Sequence, residues 1–264
     1  MGTADIIPGV SGGTIALITG IYERLIRTIS SVNTLFVKEI FKGRFKNLFR
    51  NIKEFDFQFI VPLLIGIFIA FLSLAHLIDY LLLEQTALTY ALFFGLILSS
   101  AFFVYKHAGK NHSKNFLYII LGLAFAFWFV GLNALNANHS LPVLFLSGAI
   151  AICAMILPGI SGSFLLVLLN QYEFMINVIK NLQIDKLFVF SIGALIGLLS
   201  FSKLLEYLLR KHKAATMSFL TGLMIGSLRI PYGKVIGSVN SWGLTIIVAI
   251  IGFGLVFFLE KKFS

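Results

Sequence analysis

The chain has 264 residues, of which 58% are hydrophobic and 12% charged, with a mean hydropathy of +0.95 and a formal net charge of +10. A soluble domain carries roughly 25% charged residues, so the composition excludes a water-soluble globule and places the chain in lipid. The positive charge does not mark a nucleic-acid binder, because the basic residues lie in short stretches between apolar runs and form no stripe along a polar face.

Taken in order, the chain opens without a basic n-region or an apolar h-region over residues 1–7, so no cleavable signal peptide is expected. The start is abrupt and leaves room for a longer native N-terminus. Residues 6–28 are apolar but interrupted by Pro8 and several glycines, the mark of a broken helix. Residues 30–55 alternate hydrophobics with Lys38, Lys42, Arg44, Lys46, Arg50 and Lys53 at a near-helical period. They read as a basic amphipathic helix in an anionic headgroup layer, with a solvated linker as the alternative. Three spans follow at about 57–83, 86–105 and 116–133. A second broken segment covers 141–179, and three more spans fall at about 187–209, 214–230 and 242–259.

The two halves align by hand. At an offset of 150, Pro8, Gly9, Ser11, Gly12, Tyr22, Glu23, Ile26 and Ile29 match Pro158, Gly159, Ser161, Gly162, Tyr172, Glu173, Ile176 and Ile179. At an offset of 127, Gly66, Ser73, Tyr80, Leu81, Leu82, Thr89, Gly95, Leu96 and Ser100 match Gly193, Ser200, Tyr207, Leu208, Leu209, Thr216, Gly222, Leu223 and Ser227, and Asp79 meets Glu206. The change in offset assigns a 23-residue insertion to the first half, within the basic stretch at about 30–55. One membrane domain over 1–264 is expected, with repeat one at 1–135 and repeat two at 141–264.

Orientation follows from the basic residues in short loops. Residues 24–53 hold eight, 83–86 none, 106–114 three and 133–141 none. The first three spans therefore run in-to-out, out-to-in and in-to-out. If 141–179 is re-entrant, the cluster Arg210, Lys211 and Lys213 falls inside with Lys261, Lys262 and the C-terminus. Lys180, Lys186, Arg229 and Lys234 are then left outside. The fold class expected is an all-α polytopic membrane protein of two inverted-topology repeats. Each is a re-entrant segment with a Pro-Gly-x-Ser-Gly loop followed by three transmembrane helices, an organisation typical of secondary transporters.

The loops carry the chemistry. Pro8 and Gly9, and Pro158 and Gly159, break the helix, and groups so freed in hydrocarbon must face protein or water. Each helix then restarts, at about 11–27 and 161–180, with unpaired amides at the positive end of its dipole. Ser11, Gly12, Gly13 and Thr14, with Ser161, Gly162 and Ser163, offer close backbone approach and hydroxyl donors suited to a phosphate or carboxylate. The competing reading is that the glycines permit tight packing and the serines cap helices.

Acidic and basic residues near the loops are the candidates for headgroup recognition or ion coupling. Asp5 precedes the first loop. Glu23 and Glu173 lie roughly 18 Å along a straight restarted helix, near the membrane surface, with Arg24 and Arg27. Asp79 and Glu206 sit near the far ends of their spans, as proton carriers or as interfacial ends. Cys153 is the sole cysteine, and the histidines at 76, 107, 112, 139 and 212 have no metal-ligand spacing. No Ser/His/Asp or phosphate-loop pattern occurs, so no metal, cofactor or enzymatic activity is expected.

The run Met1-Gly2-Thr3-Ala4-Asp5-Ile6-Ile7-Pro8-Gly9-Val10-Ser11-Gly12-Gly13-Thr14-Ile15-Ala16, followed by Gly20-Ile21-Tyr22-Glu23-Arg24-Leu25, closely resembles the N-terminal signature of the bacterial undecaprenyl (polyprenyl) phosphate translocase family. Leu157-Pro158-Gly159-Ile160-Ser161-Gly162-Ser163 resembles that family's second signature, with Ser163 in place of the glycine found at position 13. The first half also lacks the apolar half-helix that precedes the second loop. The resemblance implies a lipid-phosphate flippase of the bacterial cytoplasmic membrane, recycling undecaprenyl phosphate inward by alternating access for peptidoglycan and cell-envelope synthesis. Coupling to the H+ or Na+ gradient is expected. A secondary transporter of a small soluble anion is the alternative.

Overall fold

The computed structural model describes residues 1–6, 11–31, 55–107, 112–132 and 137–263, and every described element is an α-helix. Pro8, Gly9 and the body of the basic insertion lie outside the described residues. In chain order the helices are α1 (Gly2–Ile6), α2 (Gly12–Ile18), α3 (Tyr22–Ser30), α4 (Phe57–Glu84), α5 (Thr86–His107), α6 (His112–Val130) and α7 (Leu141–Ile156). They continue as α8 (Gly162–Leu168), α9 (Tyr172–Lys180), α10 (Ile184–Lys211), α11 (Lys213–Ser227), α12 (Arg229–Ser238) and α13 (Trp242–Phe263).

Helices α5 and α10 are long and apolar enough to cross a bilayer, while 57–70, 115–130, α7 and 242–258 are shorter apolar stretches. Large side chains such as Phe68, Leu83, Trp128, Phe188, Ile250 and Phe258 point outward. A water-soluble fold could not leave so much apolar surface uncovered, so these faces meet lipid. The protein is a helical membrane protein.

The first half reproduces the expected spans closely, and the second departs at one place. Where a single span to about residue 230 was expected, α11 stops at Ser227 and α12 follows after Leu228. This gives Arg229 a role that its position outside the membrane left unexplained. Its guanidinium lies 4.4 Å over the Phe127 ring and donates to the Phe127 carbonyl at 2.8 Å, at the C-terminal end of α6 where a cation suits the helix dipole.

Packing holds the halves together through crossed pairs. α6 packs on α11, α13 on α5, and α5 and α11 meet each other, while α7 packs on α10 within the second half. Close approach explains the glycines at these crossings. A Cβ on Gly122 would land on the Phe219 carbonyl of α11, and one on Gly222 on the Ile119 carbonyl of α6. The main core, including Tyr22, Ile26, Ile97, Leu205, Leu220 and Met224, lies where α3, α5, α10 and α11 converge.

Local backbone geometry repeats along the chain at the two sequence offsets. Helices α2 and α3 have the same bounds as α8 and α9 displaced by 150, and α4 has those of α10 displaced by 127. Their caps agree in torsion: Asp56 (φ −77°, ψ 72°) resembles Gln183 (−74°, 83°), and Gln85 (−128°, 40°) resembles His212 (−133°, 43°). α1 occupies the register of only the last five residues of α7.

Candidate functional site

Each restarted helix is short. The sequence suggested continuous helices over about 11–27 and 161–180, but both stop after seven residues and begin again after a gap of three residues. The cause is a left-handed residue at the same register: Gly20 at φ +69° and Asn170 at φ +56°. The second pair turns by 103° between α8 and α9. Glu23 and Glu173 therefore stand in the first turns of α3 and α9, and not along a straight axis from the loops.

The two loops meet. Ser11 Oγ donates to the Leu157 carbonyl at 3.0 Å, and the Gly159 amide donates to Thr14 Oγ1 at 3.0 Å. Ser11, Gly12, Gly13, Thr14, Pro158, Gly159 and Ser161 are all buried. A Cβ on Gly13 would come within 2.6 Å of the Ile156 carbonyl, and one on Gly162 within 2.7 Å of the Ala151 carbonyl. Tight packing thus accounts for these glycines whatever else they do. Gly159, at φ +86°, turns the chain between α7 and α8 while pressed against α11, where a Cβ would lie 2.9 Å from Ser227 Oγ.

The loops differ in what they leave unpaired. Ser11 caps α2 by accepting from the Gly13 amide at 3.1 Å, and Asp5 Oδ1 accepts from the Gly12 amide at 2.8 Å. Thus the first turn of α2 already holds a carboxyl group supplied by the chain. In the second loop Ser161 Oγ pairs with Ser163 Oγ at 2.7 Å, and no side chain caps α8.

Other candidates gather at the ends of the helices. Glu23 Oε1 lies 2.7 Å from Lys213 Nζ, and Arg24 Nε lies 2.6 Å from Asp56 Oδ2 with its guanidinium over the Phe59 ring. The Arg24 hydrogen bond holds the Asp56 carboxyl below its ordinary range, and the same bond raises Arg24. Ser30 Oγ donates to Glu206 Oε2 at 2.7 Å. Arg27 and Glu173 are exposed. Asp79 lies on α4, but its side chain is outside the described residues.

Several contributors escaped the sequence reading. Lys213, Ser30 and Asp56 acquire partners only through folding, from the far half or across the insertion. Gln171, wholly buried, pairs through Oε1 with His139 Nδ1 at 3.0 Å and donates to the Asn138 carbonyl at 3.0 Å, bracing the α8–α9 corner. Its signal was available: two adjacent amides, Asn170 and Gln171, inside an apolar run.

These features define a polytopic helical membrane protein whose two glycine-bearing helix breaks are joined in its interior. The chain belongs to the VCA0040-like family, described as undecaprenyl phosphate translocase-like, whose model matches residues 1–252. It is similar to the polyprenyl-phosphate transporter of Vibrio cholerae serotype O1 (strain ATCC 39315 / El Tor Inaba N16961), at 42% identity over 228 residues, 86% of this chain and 73% of that one. It is also similar to the polyprenyl-phosphate transporter of Staphylococcus aureus (strain NCTC 8325 / PS 47), at 32% identity over 271 residues, 96% of this chain and 90% of that one. Both are named as transporters and not as enzymes. No solved structure matches the chain significantly.

Proposed function

We propose that this protein is an alternating-access flippase for undecaprenyl phosphate in the bacterial cytoplasmic membrane, returning the lipid inward for cell-envelope synthesis. The observation that carries this reading is the direct bonding of the two helix breaks, Ser11 to Leu157 and Gly159 to Thr14, within the buried core. Backbone polar groups freed from helices are brought to one place, where a phosphate monoester can be received while its isoprenoid tail stays in lipid. The names of the two relatives agree with that cargo.

The uncapped start of α8, with Ser161, Gly162 and Ser163, is the primary phosphate cradle in this reading. Ser11, Gly12, Gly13 and Thr14 complete it from the other half once Asp5 gives way. Asp5 is the leading candidate for coupling to H+ or Na+, since its carboxylate competes with the cargo for the Gly12 amide.

Alternating access requires the halves to be inverted, and two neighbouring contacts support this. Consecutive residues Glu23 and Arg24 reach Lys213, just past the end of α10, and Asp56, at the start of α4. α4 and α10 occupy equivalent places in the two halves, so joining the start of one to the end of the other sets them antiparallel. The shared end is the side rich in basic residues, which the charge rule assigns to the cytoplasm together with the C-terminus.

Purified protein in liposomes carrying labelled undecaprenyl phosphate tests the proposal, with inorganic phosphate as a soluble comparison. Transbilayer movement of the lipid, abolished by Gly162→Arg, is expected. Movement of inorganic phosphate without movement of the lipid would replace this reading with a soluble-anion transporter.

A further inference from the structure

One face of the molecule is held shut by two grips between the halves. Glu23 of α3 meets Lys213 at 2.7 Å, and Ser30 of α3 donates to Glu206 at 2.7 Å. Glu206 lies late in α10 and Lys213 opens α11, so both grips fall around the α10–α11 corner. Between them α3 packs along α10, with Leu25 and Ile26 buried in the same core as Leu205 and Leu209.

The equivalent elements in the opposite half are α9 and the α4–α5 corner. At the repeat offsets Glu23, Ser30, Glu206 and Lys213 become Glu173, Lys180, Asp79 and Thr86. The first set supplies one ion pair, Glu with Lys, and one hydroxyl-to-carboxylate bond, Ser to Glu. The second set can supply one ion pair, Lys180 with Asp79, and one hydroxyl-to-carboxylate bond, Thr86 to Glu173. Lysine and hydroxyl have exchanged places, yet each face keeps the same complement of bonds.

The first set is engaged, with α3 packed along α10, and among the described residues α9 is not packed on α4 in the same way. α9 packs instead within its own half, burying Met175 and Val178 with Leu144 and laying Phe174 under the Lys186 ammonium at 5.0 Å. Glu173 and Lys180 are exposed, and among the described residues α9 makes no packing on α4 comparable to that of α3 on α10.

The geometry points to two alternating latches: Glu23–Lys213 with Ser30–Glu206, closed here on the basic face, and Lys180–Asp79 with Glu173–Thr86, which form on the opposite face when α9 packs on α4. Transport exchanges them, and the state described is the one accessible from the face opposite the basic loops. This rests on the inverted-repeat reading above. The engaged ion pair is partly solvated, with Lys213 and Glu23 side chains 54% and 38% exposed, as suits a contact that must release in every cycle.

The test uses the full chain with Cys153→Ser, in liposomes containing undecaprenyl phosphate, carrying either Glu23→Cys with Lys213→Cys or Asp79→Cys with Lys180→Cys. A short, reducible bifunctional thiol reagent is applied, with a monofunctional one as control. Both pairs should cross-link, each cross-link should stop lipid movement at least tenfold, and reduction should restore it. If the 79/180 pair fails to cross-link in protein that still moves the lipid, the latch is overturned while the transport reading stands. If both pairs cross-link but the unlocked protein moves no lipid phosphate, the latches are supported and the cargo assignment fails.

Discussion

The first helix break spends its polar groups on the protein, whereas the second holds several back. Ser11 is engaged with both the Gly13 amide and the Leu157 carbonyl, Thr14 receives the Gly159 amide, and Asp5 takes the Gly12 amide. In the second break, among the described residues, Ser161 and Ser163 bond to each other, and α8 starts without a side-chain cap. Two loops of nearly the same sequence are thus unequal in readiness. Under the proposed function the first is a brace and the second an open receptor, a distinction that the motif alone does not carry.

The largest effect expected from breaking this contrast is at Gly159. Its left-handed backbone and the proximity of Ser227 and Leu223 leave no room for a side chain. Gly159→Ala should cost about 2–4 kcal/mol from backbone strain and local clash, read as a lowered melting temperature in detergent and loss of transport. The control is Gly20→Ala, also at positive φ but with open space around it, which should cost only about 1–2 kcal/mol.

Next comes Asp5. Asp5→Ala strands the Gly12 amide in a buried setting and should destabilise by about 1–3 kcal/mol, whereas Asp5→Asn keeps an acceptor and should recover most of that loss. If Asp5 couples the cycle, the Asn variant regains stability while its lipid movement no longer responds to an imposed ion gradient.

The serines sharpen the comparison more finely. Ser11→Ala removes a helix cap and should cost about 1 kcal/mol of stability. Ser161→Ala should leave stability within about 0.5 kcal/mol yet weaken undecaprenyl phosphate transport several-fold. Equal behaviour of the two variants in both assays would erase the distinction between brace and receptor.

The smallest effect concerns the exposed pair Arg24–Asp56. The folded carboxyl of Asp56 is held below its unfolded value, so its contribution is present above the unfolded pKa, near 4, and is lost as pH falls through the lower folded value. Thermal unfolding of Arg24→Ala and the parent should therefore differ slightly at neutral pH and converge in strong acid.

Span positions were legible because lipid demands long apolar runs, and the spans starting at 57 and 86 fell where hydropathy placed them. The loops were legible because proline and paired glycines inside such runs have few other uses. The second break at Gly20 and Asn170 was missed: apolar periodicity continues through both, and only φ distinguishes a kinked helix from two helices at a right angle. Asp5 was noticed, but its bond to Gly12 depends on how α1 is set against the start of α2, which no local pattern specifies. Lys213 and Ser30 read as ordinary polar positions until the opposite half supplied their partners.

The carboxylate of Asp5 on the Gly12 amide also bears on what the resting protein lets through. A tethered group competes at an effective concentration on the order of millimolar or more, so a dilute small anion from solution meets a rival already seated at that donor. A cargo confined to the bilayer is itself enriched near the site and can contest the position. Under the proposed function the chain's own acid would thereby act as an idle-state filter, admitting ligands delivered by the membrane ahead of those delivered by water.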